Sequence, residues 1–597
     1  MSYFYLKVGY MRKNMDVLRS CQVLENCYNA FLGKLRRPRI PGSKLIPEIT
    51  ACVFCLTLVS ATAADLPGGN TPQIRLLTAF RPIGGAGNNL ENPDLNVVPG
   101  SAELALAPLN FAPGTNDGLV NGPNPRTISN VIAGGTGANG QNGQTTDPVA
   151  SAWLYVFGQF VDHDIDLEET PTTSAPINIV VPPGDPVFKA GTVIAMTRDT
   201  RSPVTNTIIN TVAGYLDLSQ LYGSTVAIAA SLRNADGTLM SSDNGQALPV
   251  VNDTFVTGDP RVMENPELTA LTILFMREHN FWVGTLKAQH PNWTGDQLYN
   301  MAKAITTAEY QNIVYTEYLP LLVGPVLGPY RGYEPNINAQ VTQEFSTAAF
   351  RMGHSEVSDT QEGLDTNGNV VFTESLAQAF FNTPEIDESN GIDALLRSLG
   401  VDFAQATDAY VVAALRNLLF AGLVGGDVDE MDLIAIDIQR ERDVGLGTLN
   451  QTRQALGLSR YDSFAQLTAD PVLQGNLQSV YGTIDNVDLF MGGLAEQHAS
   501  GAIVGPTFQA IIAGQFQALR AGDRFFWQNQ GFDQQTAAMI SSTTLTNIMK
   551  RNTATPNLQA NVFIEAALPT PLQPHATAPA VIDTHGRKGS PFINDGM

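Results

Sequence analysis

The stretch GQFVDHDID, residues 158–166, sets His163 among Asp162, Asp164 and Asp166. A free imidazole titrates near neutrality, so it can take up one proton and return it at working pH, and a carboxamide nearby, Gln159, suits work on a small polar substrate. On a helix, residues three and four apart share a face and adjacent ones diverge by about 100°. Gln159, Asp162 and His163 therefore project to one side and Asp164 projects away. A histidine among acids can equally be a structural pair, so its chemistry depends on what the rest of the chain brings to it.

Two further groupings follow in chain order. In AGYLDLSQLYGS, Asp217 and Ser219 alternate along a loop and Tyr215 can offer its carbonyl. With Asp164 these make two carboxylates plus neutral oxygens, the hard donor set that suits Ca²⁺, although LDLS could equally cap a helix. In GDPRVMENPELTALTILFMREHN, Asn265 followed by Pro266 reads as an N-cap and first-turn proline. Arg261 and Glu264 then sit just ahead of a buried helix. Such an arginine could steady developing negative charge in a dry pocket, or form a structural ion pair with Glu264.

The elements that must position these groups are helices. Trp153, Val156, Phe157, Phe160 and Val161 recur at the three-four spacing of a buried helix face. Comparable patterns run through LTALTILFMREHNFWVGTLKAQH, DQLYNMAKAITTAEYQNIVYTEYL, AYVVAALRNLLFAGL and GPTFQAIIAGQFQALRAGDRF. Residues 65 to about 150, rich in Gly, Asn and Pro, read as irregular loop wrapped over other structure. The spacing predicts a mainly α fold with little β: isolated strand-like pieces near PINIVV, and a turn rather than an ion site at DTNGNVVF. No linker within 151–550 and no internal repeat argue for a second domain. His279 lies on a strongly apolar helix and reads as a buried structural residue; His290, His498, His575 and His585 show no partner pattern. N-x-T triplets occur at Asn252, Asn292 and Asn450.

Composition bounds the partners. The 597 residues are 43% hydrophobic and 15% charged, with a net charge of -23. Residues 1–48 carry nine Lys or Arg against three Asp or Glu, leaving 25 basic and 54 acidic residues in the remainder. So acidic a body repels nucleic-acid phosphates and anionic lipid. All four cysteines, Cys21, Cys27, Cys52 and Cys55, lie near the N-terminus, so the rest of the chain has neither a disulfide framework nor a thiolate metal site. ITACVFCLTLVSATAA, residues 49–64, follows the basic KLRRPR and ends in small residues, as a secretory signal does. The expected organisation is a basic extension 1–48, an apolar targeting segment 49–64, one large helical domain 65–565 and an extended tail 566–597.

Taken in order, these motifs, with AFRMGHSEVSD around His354, DIQRERDVGLGTLNQTRQALGL, GGLAE and GPTFQAIIAGQFQALRAGDRFFW, resemble the haem peroxidases of the animal peroxidase-cyclooxygenase superfamily over roughly residues 75–555. The resemblance implies a single large helical haem peroxidase domain with long irregular loops, haem b and Ca²⁺. His354 would bind the iron, and Asn450 would accept a hydrogen bond from its other ring nitrogen. On the opposite face His163 would take a proton from hydrogen peroxide and deliver it to the departing oxygen, with Arg261 steadying the charge there and Gln159 near the distal water or halide position. Asp162 and Glu264 match two carboxylates that can become esters to the haem periphery. Arg351 and Arg453 match basic groups near the haem and its propionates. Asp164, Asp217, Ser219, the Tyr215 carbonyl and position 213 match the calcium ligands.

Three departures from that pattern stand out. Ala213 replaces a threonine ligand, leaving only its carbonyl. Asn265 stands where some members have a haem-linked methionine, so strong chloride oxidation is not expected. Arg351 occupies the position, three before the proximal histidine, of the radical tyrosine in the lipid-oxygenating branches. The expected activity is therefore a secreted or extracytoplasmic peroxidase acting on hydrogen peroxide with small organic donors, halide or pseudohalide. Fatty-acid dioxygenation is the alternative within the superfamily. An adhesion or matrix role is another, although no RGD or KGD triplet is present.

Overall fold

Helix α1, Trp153–Ile165, carries the GQFVDHDID stretch through the main hydrophobic core of the computed structural model. The structure describes residues 72–112, 122–135, 145–252, 254–381, 386, 391–418, 431–555 and 558–565. The extension 1–48, the apolar segment 49–64, the tail 566–597, the four cysteines, His575 and His585 lie outside these residues. The described residues fall within one compact unit.

The apolar side chains of α1 do not make a single stripe. Trp153, Leu154, Val156, Phe157, Phe160, Val161 and Ile165 are all buried, so the helix is enclosed on nearly every side. Each large side chain withdrawn from water contributes about 1.5–3 kcal/mol. Such anchoring holds the polar residues of α1 in place. Gly158 serves a close approach: a Cβ there would lie 2.8 Å from the Tyr318 hydroxyl.

The other elements that bear on the site follow in chain order. Strand β1, Thr146–Ser151, precedes α1, and the short α2, Ser219–Tyr222, follows it. Helix α3, Pro266–Gln289, starts as its residue types require: Asn265 accepts from the Leu268 N–H at 2.8 Å and Pro266 takes the first turn. Helix α4, Gly295–Ile313, opens with a capping box between Thr294 and Gln297. A helical run then changes pitch twice, from a π turn at Phe345–Ala349 through a 3₁₀ turn at Phe350–Met352 into α5, Gly353–Glu356. Wide and tight turns of this kind re-aim side chains and are frequent at functional sites; here they aim His354.

A hairpin of β2, Thr360–Leu364, and β3, Val370–Ser375, closes through the DTNGN turn, where Asp365 accepts from the Asn367 and Asn369 N–H groups. Strand β4, Phe403–Gln405, pairs with β1. Helix α6, Leu433–Asp443, is capped by Asp432, and α7, Leu449–Ala455, by Thr448. Among the described residues, strands occur only as two-stranded antiparallel pairs. The fold is mainly α.

Candidate active site

Several segments of the chain line one cavity, and three of them bring the residues singled out in the sequence to it. Gln159, Asp162 and His163 come from α1, Arg261, Glu264 and Asn265 from the turn leading into α3, and Arg351 and His354 from the pitch-changing run. Asp164 is not among the lining residues; its carboxylate turns instead to the loop before α2, accepting from the Leu218 N–H at 3.0 Å and the Ser219 N–H at 2.5 Å.

On the α1 side, burial and then the Arg261 charge hold the His163 imidazole well below its ordinary range. It is neutral at neutral pH and so can accept a proton. Its Nε2 lies 3.5 Å from Glu264 Oε2, a contact that with a neutral ring is no ion pair. Burial, opposed by Arg261, pushes Glu264 up to about 8 and Asp162 up to about 6. Gln159 is clamped: its amide donates to Glu264 at 2.8 Å, and its carbonyl accepts from the Asn265 amide at 2.8 Å. Asn265 therefore both caps α3 and orients Gln159.

Arg261 does not pair with Glu264 as its structural alternative supposed. Its partner is Asp259, met by Nε at 3.0 Å and Nη2 at 2.8 Å, and Nη2 also donates to the Asp166 carbonyl at 2.9 Å. Asp259 lies two residues upstream and already caps the turn through the Arg261 N–H, so it is poised before Glu264 can compete.

On the opposite side, His354 Nδ1 lies 2.8 Å from Asp437 Oδ2 on α6, which leaves Nε2 for a ligand. The expected partner, Asn450, is elsewhere. It is buried on α7, but its amide donates to the Tyr461 carbonyl and Asp485, and its carbonyl accepts from the Tyr461 N–H. Its capacity is spent fastening the loop after α7. Arg453 is likewise displaced from the cavity, bonded to Glu496 at 2.6 Å and Thr507 at 2.8 Å and lying over the Tyr461 ring. Arg351 does line the cavity, and its three nitrogens donate to Ser346 O, Asp437 and Glu168.

Several lining residues had no sequence signal of their own. Asp166, Glu168, Glu267, Glu356 and Tyr318 all face the cavity. Burial raises Glu267 and Glu356 each to about 8, so both are largely uncharged at neutral pH. Asp437 lay within the quoted DIQRERD, where its spacing to Arg440 and Glu441 marks a helix but nothing marks a partner for His354.

The second grouping surrounds Asp164. Asp164 and Asp217 are buried together, and burial with their mutual repulsion raises Asp164 well above the ordinary carboxylate range. Asp217 is raised by burial, with Lys303 opposing. Asp217 Oδ1 has no hydrogen-bond partner, and the Ser219 hydroxyl donates to the Asp164 carbonyl. Leu218 between them holds φ +60°, a left-handed conformation costly for a branched side chain, and its N–H is held by Asp164. Ala213 offers no side-chain oxygen; its N–H donates to Ser224. The buried Lys303 ammonium donates to the Asp217 carbonyl at 3.1 Å. Among the described residues, no group of three His, Cys, Asp or Glu side chains comes together as a metal site, so a cation here would rely on carbonyl and hydroxyl oxygens as well.

The remaining described histidines are structural. His279 is buried, with Nδ1 3.0 Å from the Tyr222 hydroxyl and Nε2 3.0 Å from Gly237 O, and burial lowers it to about 4. His290 stacks on Trp293 and contacts Ile74 O, and His498 contacts Thr407 O.

Comparison with known proteins identifies the family. A family profile described as animal haem peroxidase matches residues 80–563. Peroxinectin A of Dictyostelium discoideum is 31% identical over 521 residues, covering 81% of this chain and 95% of that protein. The solved structure of peroxidase A from Dictyostelium discoideum superposes with a TM-score of 0.72 at 29% identity, covering 81% of this chain and 99% of that one. A fatty acid alpha-dioxygenase from Arabidopsis thaliana reaches a TM-score of 0.70 over 83% of this chain and 84% of that one, at 18% identity, a likeness of fold. The match spans the whole site, from α1 through the segments bearing Arg261 and His354 to α6, and on that ground the chain belongs to the animal haem peroxidases, oxidoreductases that act on peroxide.

Proposed function

We propose that the chain reduces hydrogen peroxide while oxidising small organic donors, bromide, iodide or thiocyanate, at a haem b seated between His163 and His354. The observation that supports this reading is one cavity lined by both imidazoles. The residues fit the group. The cavity combines apolar walls, Tyr318, Phe350, Leu376 and Phe380 among them, with a few convergent polar groups, as cofactor pockets do, and His354 has Nε2 left to bind iron because Nδ1 is engaged. Asp162 and Glu264 line the same space and would supply the carboxyl oxygens for ester links.

Bound haem supplies the iron at which the peroxide oxygen–oxygen bond is cleaved and which then draws electrons from a donor. The chain's own residues manage the proton and the charge. His163, neutral through burial, takes the peroxide proton and returns it to the departing oxygen. Arg261 steadies the charge on that oxygen; Nη1 is the guanidinium nitrogen not engaged by Asp259, Asp166 or His163. Gln159, clamped by Glu264 and Asn265, orients the peroxide or a halide. Arg351, three residues before His354, is held by Asp437, Glu168 and the Ser346 carbonyl and offers no phenol for radical chemistry, which favours peroxide over lipid as the substrate. An extracytoplasmic setting belongs to the proposal and rests on the apolar segment 49–64 behind its basic flank; no helix among the described residues is long and apolar enough to cross a membrane.

An absorption spectrum of the purified full chain tests the core of this reading: a Soret band that shifts on adding peroxide is expected, and its absence would sink it. Acidic acetone should leave the haem on the protein, whereas in an Asp162→Asn, Glu264→Gln double variant the haem should extract freely.

Calcium at Asp164, Asp217, Ser219 and the carbonyls of Tyr215 and Ala213 is the second part of the proposal. The unpartnered Asp217 oxygen beside a second buried carboxylate supports it. Bound ion would stabilise by mass action, about 2.7 kcal/mol at a hundredfold excess over Kd. Exhaustive chelation should therefore lower the melting temperature, and added Ca²⁺ should restore it. An unmoved transition under both treatments would mean that Lys303 alone balances the two carboxylates.

A further inference from the structure

The side chain behind His354 is a carboxylate, and this bears on which donors the site can oxidise. Asp437 is completely buried on α6, and its two oxygens have different partners: Oδ2 faces His354 Nδ1 at 2.8 Å, and Oδ1 accepts from Arg351 Nη1 at 2.9 Å. Arg351 does not cancel the Asp437 charge, because its Nη2 also meets Glu168 at 2.8 Å and its Nε is bound to Ser346 O. Glu168, Arg351 and Asp437 together carry one net negative charge, and Asp437 Oδ2 directs it at the imidazole. The low dielectric of the surroundings strengthens that interaction.

We infer that Asp437 is a positioning residue for His354: it fixes the ring with Nδ1–H toward α6, gives the imidazole partial anionic character, and thereby sets the site to oxidise readily oxidised donors in preference to bromide. The inference rests on the proposed haem ligation by His354. A carboxylate acceptor draws the Nδ1 proton toward itself and makes Nε2 a stronger electron donor, as outer-shell carboxylates do for other histidine ligands. A stronger donor stabilises the oxidised iron over the reduced, which lowers the reduction potential. A site poised in this way promotes peroxide cleavage and leaves a milder oxidant behind, so organic donors and iodide are oxidised in preference to bromide. An amide in the same place would accept the hydrogen bond without the charge.

The test is Asp437→Asn in the haem-loaded full chain. The change keeps shape and acceptor while removing the negative charge. The ferric/ferrous equilibrium should move at least tenfold toward ferrous, about 59 mV for one electron. The iron–imidazole vibration of the ferrous protein should fall in frequency, and the ratio of bromide to phenol oxidation should rise. Asp437→Glu should hold the potential near that of the unaltered protein. Should the Asn variant not fold, the unaltered protein still decides: its iron–imidazole vibration should lie above that of a ferrous haem complex with neutral imidazole, and equality would overturn the inference. A Soret band that depends on His354, with potential and vibration unmoved in Asp437→Asn, would overturn this inference alone. A chain that takes up no haem would overturn it together with the function proposed above.

Discussion

Replacing His354 by alanine is expected to abolish proximal ligation and to lower peroxidase turnover by more than about 100-fold, since loss of even an outer-shell partner of a metal ligand costs about 10–100-fold. The fold should survive. His354 is a partly exposed ring at the cavity wall, and the buried Asp437 that it leaves behind keeps its hydrogen bond from Arg351, so the carboxylate is not left without a partner. The readouts separate ligation from retention. If Asp162 and Glu264 have formed esters, haem content will persist while the Soret maximum and the iron–imidazole vibration change. If they have not, haem will be lost on gel filtration. Added imidazole should enter the vacated space and restore part of the spectrum. Turnover and spectrum both unaltered in His354→Ala would remove this histidine from the site.

The distal half of the site was legible because it is local. His163, Asp162 and Gln159 occupy one turn of α1, where three-four spacing decides which face each takes, and the Asn265–Pro266 signal located the start of α3 and with it Arg261 and Glu264. The Asp217–Ser219 alternation is local in the same way, although its meeting with Asp164 is a contact between segments over 50 residues apart. The proximal half was reached only through the resemblance, which picked out His354 and Arg351, both at the cavity, but not Asp437. His354 and Asp437 are far apart in the chain, and the turn that aims His354 passes from π to 3₁₀ to α pitch, which no periodicity in the sequence announces. Asn450 was the natural expectation by resemblance, but an amide with donor and acceptor can be satisfied by backbone, and the Tyr461 peptide does so. Arg453 went the same way, to Glu496. The helical character of the body was plain from its apolar periodicity, whereas the near-complete enclosure of α1 was not, because a helix buried on most sides still shows the face pattern of one buried on a single side.

In the His163→Ala protein, haem should remain bound while its reaction with hydrogen peroxide slows by about 10²–10⁴-fold, the usual contribution of a positioned acid–base group. His354 and the two carboxyls, Asp162 and Glu264, do not depend on the His163 ring for their places; Glu264 keeps its hydrogen bond from Gln159. The loss should therefore fall on the second-order rate constant with peroxide and leave the spectrum of the resting protein close to normal. The direction of the pH dependence follows from burial. His163 is held well below the ordinary imidazole range, so the base is already unprotonated at neutral pH. In the unaltered protein the rate constant should stay flat from neutrality down past pH 6.5 and drop only in more acid solution, as the ring gains a proton. The variant should lack that acid limb. Peracids, which release their proton more readily than hydrogen peroxide, should lose less rate on the substitution, because they need less from a base. Equal losses for peracid and peroxide would point to a collapsed cavity, and an unchanged rate with both would show that proton transfer at this site is carried by some group other than His163.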